Sequence, residues 1–187
     1  MLNGSKDKGL KFAGFQNDGK LVILVMGGSL GAQRINNALL KCLPELVKKY
    51  KIIHLTGPDK TIYFDHPNYK SFEYVSKEMP DVLACADLVV SRAGANSIFE
   101  FLAVRKPMLL IPLEIGSRGD QVDNAESFAN KGWAYTLNEK QLDEKNFISA
   151  IEKTIDNRDM MSRNQSTYQS SAASQKILSV IENAMKA

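Results

Sequence analysis

The chain has few of the residues that build disulfide frameworks and metal sites. It holds two cysteines and two histidines among 187 residues. Cys42 and Cys85 show no C-x-x-C or metal-ligand spacing, which is typical of a reducing compartment and predicts two free, buried thiols. His54 and His66 are the only histidines available to a metal cluster, and no D-x-D pair accompanies them. We therefore predict no metal site and no cofactor.

Long apolar runs and a strong charge of one sign are also missing. No stretch of about 20 apolar residues is present, and residues 1–8 lack the apolar core of a signal peptide. The net charge is +3 at pH 7, and the basic residues are not interleaved with aromatic ones as in RNA-binding surfaces. These absences argue against nucleic acid as a partner and predict a soluble, cytosolic chain.

What is present is an alternation of apolar strands and amphipathic helices. Residues 21–26 form a continuous apolar run, as expected of a strand covered on both faces, and helical periodicity follows from residue 35 to residue 47. The alternation predicts further strands at residues 51–56, 69–74, 87–91, 107–111 and 133–137, and helices at residues 79–86, 96–104 and 121–131. The pattern indicates an α/β fold, a Rossmann-like doubly wound parallel sheet of about six strands.

Three parts of the chain differ in character. Residues 1–20 are polar and are interpreted as a linker or lead-in. Residues 21–156 carry the alternating pattern and form the main domain, in which Pro44 predicts a kink or a restart of the first long helix. Residues 157–187 are interpreted as a C-terminal helical extension with a weak apolar stripe.

Two glycine-bearing turns, residues 26–32 and 91–97, each leave an apolar strand and open a helix. A helix N-terminus exposes unpaired N–H groups, and glycines let an anion approach them, so the pair suggests a diphosphate-bearing ligand. The alternative is that the glycines only permit tight packing of strand on helix. The first turn reads G-G-x-x-G, and no acidic residue ends the second strand, so the dinucleotide fingerprint is not met.

Two further polar features follow the second turn. Glu100 lies six residues beyond Gly94, near the start of the helix, and could accept hydrogen bonds from the hydroxyls of a ribose, although Ser97 and Glu100 also fit a capping box. The segment at residues 118–124 could hold sugar hydroxyls with its carboxylate and amide groups, or could simply complement a helix dipole. The residues alone leave both pairs of alternatives open.

The order and spacing of these clusters resemble the C-terminal half of the MurG family of GT-B glycosyltransferases, which make lipid II. The resemblance runs from about Leu21 to the last helix. It is carried by residues 25–32 (VMGGSLGA), 73–75 (EYV), 87–95 (DLVVSRAGA) through Glu100, 107–112 (PMLLIP) and the segment from Asp120-Gln121 to Asn124-Ala125. Within the family, these stretches of sequence are most similar to those of low-GC Gram-positive bacteria.

The resemblance implies a UDP-N-acetylglucosamine (UDP-GlcNAc) site. Its implied residues are Gly28 and Ser29 with the N–H groups of Ala95, Asn96 and Ser97 for the diphosphate, Glu100 for the ribose, the backbone near Val75 for the uracil, and Asp120 with Gln121 for the glucosamine. Many relatives carry an amide at position 120, where this chain has an aspartate. The implied reaction is inverting transfer to lipid I at the cytoplasmic face of the membrane.

The resemblance leaves the acceptor half of the enzyme unmatched. The family's N-terminal domain binds the lipid acceptor and meets the membrane, and the general base is expected there, so we name no catalytic residue and expect binding without turnover. The C-terminal extension is expected to pack on that domain and to exchange its amides rapidly. Two alternatives are a natural UDP-sugar-binding subunit of a split glycosyltransferase and another GT-B UDP-sugar enzyme, such as a glycolipid glucosyltransferase or a 2-epimerase.

Overall fold

The computed structural model describes residues 3–28, 31–114 and 119–168. Six strands form one sheet, in which every neighbouring pair is parallel. The strands are β1 (Val22–Met26), β2 (Lys51–Leu55), β3 (Tyr69–Phe72), β4 (Leu88–Ser91), β5 (Met108–Leu110) and β6 (Tyr135–Thr136). Their spatial order is β3-β2-β1-β4-β5-β6, which is that of a doubly wound fold and confirms the predicted fold class.

Seven α-helices connect and cover the strands in the described ranges. They are α1 (Lys6–Phe12), α2 (Gln33–Lys49), α3 (Met79–Cys85), α4 (Ala95–Ala103), α5 (Asp120–Asn130), α6 (Glu144–Asp156) and α7 (Arg158–Gln165). Pro44 lies inside α2, which continues through it as a single helix, so the predicted restart is wrong. Of the helices in the described ranges, none has the length and apolarity needed to cross a bilayer.

The two faces of the sheet carry separate apolar cores. Alternate residues of a strand point to opposite faces, so Leu24 packs on one side with α1, α3, α4 and α5, and Ile23 packs on the other with α2 and α6. Cys42 belongs to the second core and Cys85 to the first, and both are free thiols, as predicted. Burial is the main reason that the pKa of Cys42 is raised to about 12 and that of Cys85 to about 11.

The lead-in is not merely a linker, which corrects the interpretation of residues 1–20. Helix α1 packs on α3, where Leu10 is buried and the Ser5 N–H donates to the Asp81 carboxylate at 2.7 Å. A Cβ on Gly9 would lie 2.1 Å from the Asp81 carbonyl oxygen, so the absence of a side chain allows the two helices to touch. The buried Lys51 ammonium of β2 donates to the Gln16 carbonyl and, at 2.5 Å, to the Asp18 carboxylate.

The first part of the C-terminal extension also packs on this domain. Met161 and Gln165 of α7 are buried, and the Gln165 amide donates to the carbonyl oxygens of Lys106 and Trp133, each at 2.8 Å. The Trp133 indole N–H in turn donates to the Asn164 carbonyl at 2.9 Å. The expectation that the extension packs elsewhere is therefore wrong for Arg158–Gln165, while residues 169–187 lie outside the described residues.

Candidate functional site

Both glycine turns lie at the carboxyl edge of the sheet, where β1 and β4 end side by side. Met26 pairs with Ser91 at the last position of both strands, so the turns that follow them are neighbours. Gly28 has φ +83°, a left-handed conformation that favours glycine, and Gly94 is the N-cap of α4. The first turns of α2 and α4 therefore begin at the same edge, as the sequence predicts for two anion-binding turns.

Two clefts adjoin at this edge, and Gly28 and Ser97 line both of them. The first has a volume of about 410 Å³. Its walls are Met26, Gly28, Leu55, residues 73–76, Met79, Pro80, Ser97 and Glu100. Val75 is buried, whereas Tyr74 is 66% exposed. The first cleft thus combines apolar side chains, an exposed aromatic side chain and two carboxylates, those of Glu73 and Glu100.

The second cleft lies between the first turn of α2 and the segment after β5. Its volume is about 470 Å³, and it is lined by Gly27, Gly28, residues 31–34, Arg92, Gly94, Ser97, Leu113 and Gln121. The Gln121 side-chain oxygen accepts a hydrogen bond from the Leu113 N–H at 3.0 Å, which fixes the amide at the wall of the cleft. This cleft carries two arginines, Arg34 and Arg92.

Most of the sequence-predicted residues meet at these clefts. Gly28, Val75, Ser97, Glu100 and Gln121 line one or both of them. Ala95 and Asn96 are exposed in the first turn of α4, beside Gly94. In the described part of α5, Gln121 rather than Asp120 is on the cleft wall, and Asp120 is exposed at the first helical position. Ser29 lies outside the described residues.

The position of Glu100 in α4 excludes the capping-box interpretation of that residue. A capping box requires Ser97 at the N-cap, with Glu100 three residues beyond it. The N-cap is instead Gly94, and Ser97 already lies inside the helix. Glu100 is therefore free of the capping role and exposes its carboxylate to the first cleft.

A buried polar network packs against the first glycine turn. The His54 ring in β2 bonds the Tyr69 hydroxyl and the Asn36 side-chain oxygen, each at 3.0 Å. The Asn36 amide donates to the Thr56 carbonyl at 2.9 Å. A Cβ on Gly31 would approach that same carbonyl oxygen to 2.0 Å, so the turn rests directly on the network. The sequence predicts a strand at residues 51–56, which includes His54, but no pattern in it indicates this link.

An ion cluster at the second cleft was also not found from the sequence. Glu139 is 3% exposed and accepts hydrogen bonds from Arg92 and, at 3.1 Å, from Arg34. Arg92 also donates to the carbonyl oxygens of Ile111 at 3.2 Å and Pro112 at 3.4 Å. Within residues 3–28, 31–114 and 119–168, no group of histidine, cysteine or acidic side chains is arranged to hold a metal ion.

The comparisons with known proteins agree with the geometry. Residues 22–181 match the model described as glycosyltransferase family 28 C-terminal domain. The chain belongs to this family. The match confirms the resemblance inferred from the motifs, and its first residue falls at the start of β1.

Two curated relatives from different bacteria are named as the same kind of transferase. They are UDP-N-acetylglucosamine–N-acetylmuramyl-(pentapeptide) pyrophosphoryl-undecaprenol N-acetylglucosamine transferases. The Bacillus cereus protein is 46% identical over 98% of this chain and 53% of its own length. The Clostridium botulinum protein is 56% identical over 76% of this chain and 40% of its own length. The chain thus spans about half the length of the curated relatives it matches.

A solved structure supports the same assignment. The crystal structure of Acinetobacter baumannii MurG superimposes with a TM-score of 0.68 and 26% sequence identity. The alignment covers 88% of this chain and 48% of that protein. The similarity therefore extends over nearly the whole described fold, and again over about half of the related protein.

Proposed function

We propose that this chain binds UDP-GlcNAc and forms the donor half of the glycosyltransferase that adds N-acetylglucosamine to lipid I to give lipid II. The observation that carries the proposal is the pair of clefts that meet at Gly28 and Ser97. One cleft has the carboxylate of Glu100, and the other has the amide of Gln121 and two arginines. A nucleoside diphosphate sugar has its groups in the matching order, with the nucleoside at one end, the diphosphate in the middle and the sugar at the other end.

The uridine would occupy the first cleft. Glu100 would accept hydrogen bonds from the ribose hydroxyls, because an exposed carboxylate offers only acceptors and vicinal hydroxyls are donors. Backbone groups near Val75 would contact the uracil edge at the buried end of the cleft. The glucosamine would lie in the second cleft, where the position of Gln121 on the wall favours it over Asp120 as a sugar contact.

The diphosphate would lie between the first turns of α2 and α4. Ser29, Ala95, Asn96 and Ser97 would supply hydroxyl and N–H donors there. Negative charge develops on the UDP leaving group during transfer, and oriented N–H groups and helix dipoles stabilise such charge. The proposal therefore requires no metal and no cofactor, and EDTA should leave the affinity for UDP unchanged.

The acceptor would come from the other half of the enzyme. The chain spans about half of its relatives, so we place lipid I binding, the general base and contact with the cytoplasmic face of the membrane in the remainder of the protein. The full enzyme would be a peripheral membrane protein of peptidoglycan synthesis. This chain by itself should bind the donor without turning it over.

The experiment is calorimetric titration of UDP and 2′-deoxy-UDP into the wild-type chain and the Glu100→Ala variant. Loss of hydrogen bonds to a charged group costs about 1.5–3 kcal/mol, so UDP affinity should fall about ten- to a hundredfold in the variant. Wild-type protein should prefer UDP over the deoxy analogue, and the variant should not, because the partner of the hydroxyl is gone.

Glu126→Ala is the matched control, since Glu126 is an exposed glutamate of another helix and its loss changes the net charge equally. It should keep both the affinity and the preference. Equal UDP affinity in Glu100→Ala and wild type would refute the ribose contact. A competition titration of UDP-GlcNAc against UDP-glucose and UDP-galactose tests the sugar, and equal affinities for all three would refute the N-acetylglucosamine assignment.

A further inference from the structure

The ion cluster of Arg34, Arg92 and Glu139 has more positive charge than the fold needs. A buried carboxylate must be paired, and the Arg92 guanidinium, whose side chain is 11% exposed, already pairs with Glu139. Arg92 is itself held by two carbonyl oxygens at the end of β5, so this pair is fixed in the floor of the second cleft. Arg34 therefore brings a second positive charge to a site that is already compensated.

Arg34 is placed differently from Arg92. It is the second residue of α2, and its side chain is 60% exposed while one guanidinium nitrogen lies 3.1 Å from the second oxygen of Glu139. A guanidinium has five N–H donors in a planar fork, so a single contact with Glu139 leaves donors that can reach an anion. Both arginines line the cleft together with Gly28 and Ser97.

We propose that Arg34 is a ligand of the diphosphate. Glu139 holds the Arg34 guanidinium in position, and the Glu139 carboxylate is itself held by its ion pair with Arg92. The inference rests on the proposed function, because it names a phosphate contact for the same donor. Glu139 orients Arg34 before the nucleotide binds. When the diphosphate binds, the Arg34 guanidinium contacts both Glu139 and the diphosphate. The two arginines and one carboxylate together carry a net charge of +1, which favours an anion in the second cleft.

A purely structural role for Arg34 makes a different prediction. If Arg34 only tied α2 to Glu139, its loss would lower the stability of the fold and leave nucleotide affinity nearly unchanged. A phosphate ligand should instead affect ligands that carry a diphosphate and spare those that do not. Uridine and UDP therefore separate the two roles.

The test is titration of UDP and uridine into the wild-type chain and the Arg34→Gln and Arg34→Lys variants, with thermal unfolding of each protein as a check of folding. Arg34→Gln should weaken UDP binding roughly tenfold, as expected for one hydrogen-bonded charge contact, and should leave uridine binding unchanged. Arg34→Lys should lose less, because the charge remains and only the fork is gone. UDP binding by Arg34→Gln should also depend less on salt than binding by wild type.

Lys48→Gln is the matched control. Lys48 lies on the same helix and its side chain is 68% exposed, and its replacement by glutamine removes the same charge. It is about 20 Å along the helix from Arg34, more than twice the Debye length at physiological salt, so UDP affinity should not change. Unchanged UDP affinity in Arg34→Gln, or an equal loss for UDP and uridine, would overturn the diphosphate contact. Failure of the wild-type chain to bind UDP would overturn the proposed function and this inference with it.

Discussion

Acid should destabilise this fold through a single buried histidine. His54 is fully buried in β2, and burial lowers its pKa from 6.5 to about 4. The neutral ring bonds Tyr69 and Asn36, and Asn36 continues to the Thr56 carbonyl beneath the first glycine turn. Protonation would place an uncompensated charge among these groups, so the folded state resists it and the unfolded state does not.

The sign of the effect follows from the two pKa values. Between pH 6.5 and pH 4 the unfolded chain binds a proton at His54 and the folded chain does not, so the free energy of unfolding falls as the pH falls through this window. The cost is about 2 kcal/mol between pH 7 and pH 5 and on the order of 3 kcal/mol by pH 4. Asp18 and Glu45, whose pKa values are lowered mainly by hydrogen bonds from Lys51 and Lys48, act in the same direction at lower pH.

Urea denaturation of the chain at pH 7, 6 and 5 measures this loss directly. His54→Gln removes the titrating group, so its free energy of unfolding, although lower at pH 7, should change little from pH 7 to pH 5. His66→Gln is the matched control, because it removes the other histidine and leaves His54 in the core. If wild type keeps its full stability at pH 5, or if His54→Gln loses as much as wild type, the buried neutral histidine is refuted.

Two further predictions concern glycines and are read by thermal or urea unfolding. Gly31→Ala should destabilise the chain by more than Gly119→Ala, because both glycines have positive φ but only a Cβ at Gly31 would lie 2.0 Å from a backbone carbonyl oxygen. Gly119→Ala should cost roughly 1–2 kcal/mol of unfolding free energy. Equal losses in the two variants would contradict the packing argument. Gly9→Ala should lower the melting temperature although alanine favours helix, since its Cβ would collide with α3; the exposed Lys8→Ala should not, and a stabilised Gly9→Ala would show that α1 does not pack there.

The fold was predictable because its strands are buried on both faces. Residues 21–26 read as one continuous apolar run, and β1 spans Val22–Met26 with its first four residues buried. Helix α1 could not be found in this way, since only Gly9 and Leu10 of its seven residues are buried. Its place depends on contact with α3, which is distant in sequence.

The candidate site was predictable where it is local and hidden where it is not. The two glycine turns directly follow β1 and β4, and Glu100 lies in the helix that the second turn opens, so the sequence places them at one edge. The ion cluster joins residues 47 and 105 positions apart, and no local pattern marks Glu139 as the partner of two arginines. The position of Gln121 rather than Asp120 on the cleft wall likewise follows from the orientation of α5.

A crystal structure of the chain with UDP-GlcNAc would show whether the nucleotide occupies these two clefts. We expect the uridine in the cleft of Val75 and Glu100, with the Glu100 carboxylate within hydrogen-bond distance of the ribose hydroxyls and the diphosphate beside Gly28 and Ser97. A nucleotide bound at another face of the sheet, or a ribose that does not contact Glu100, would contradict it.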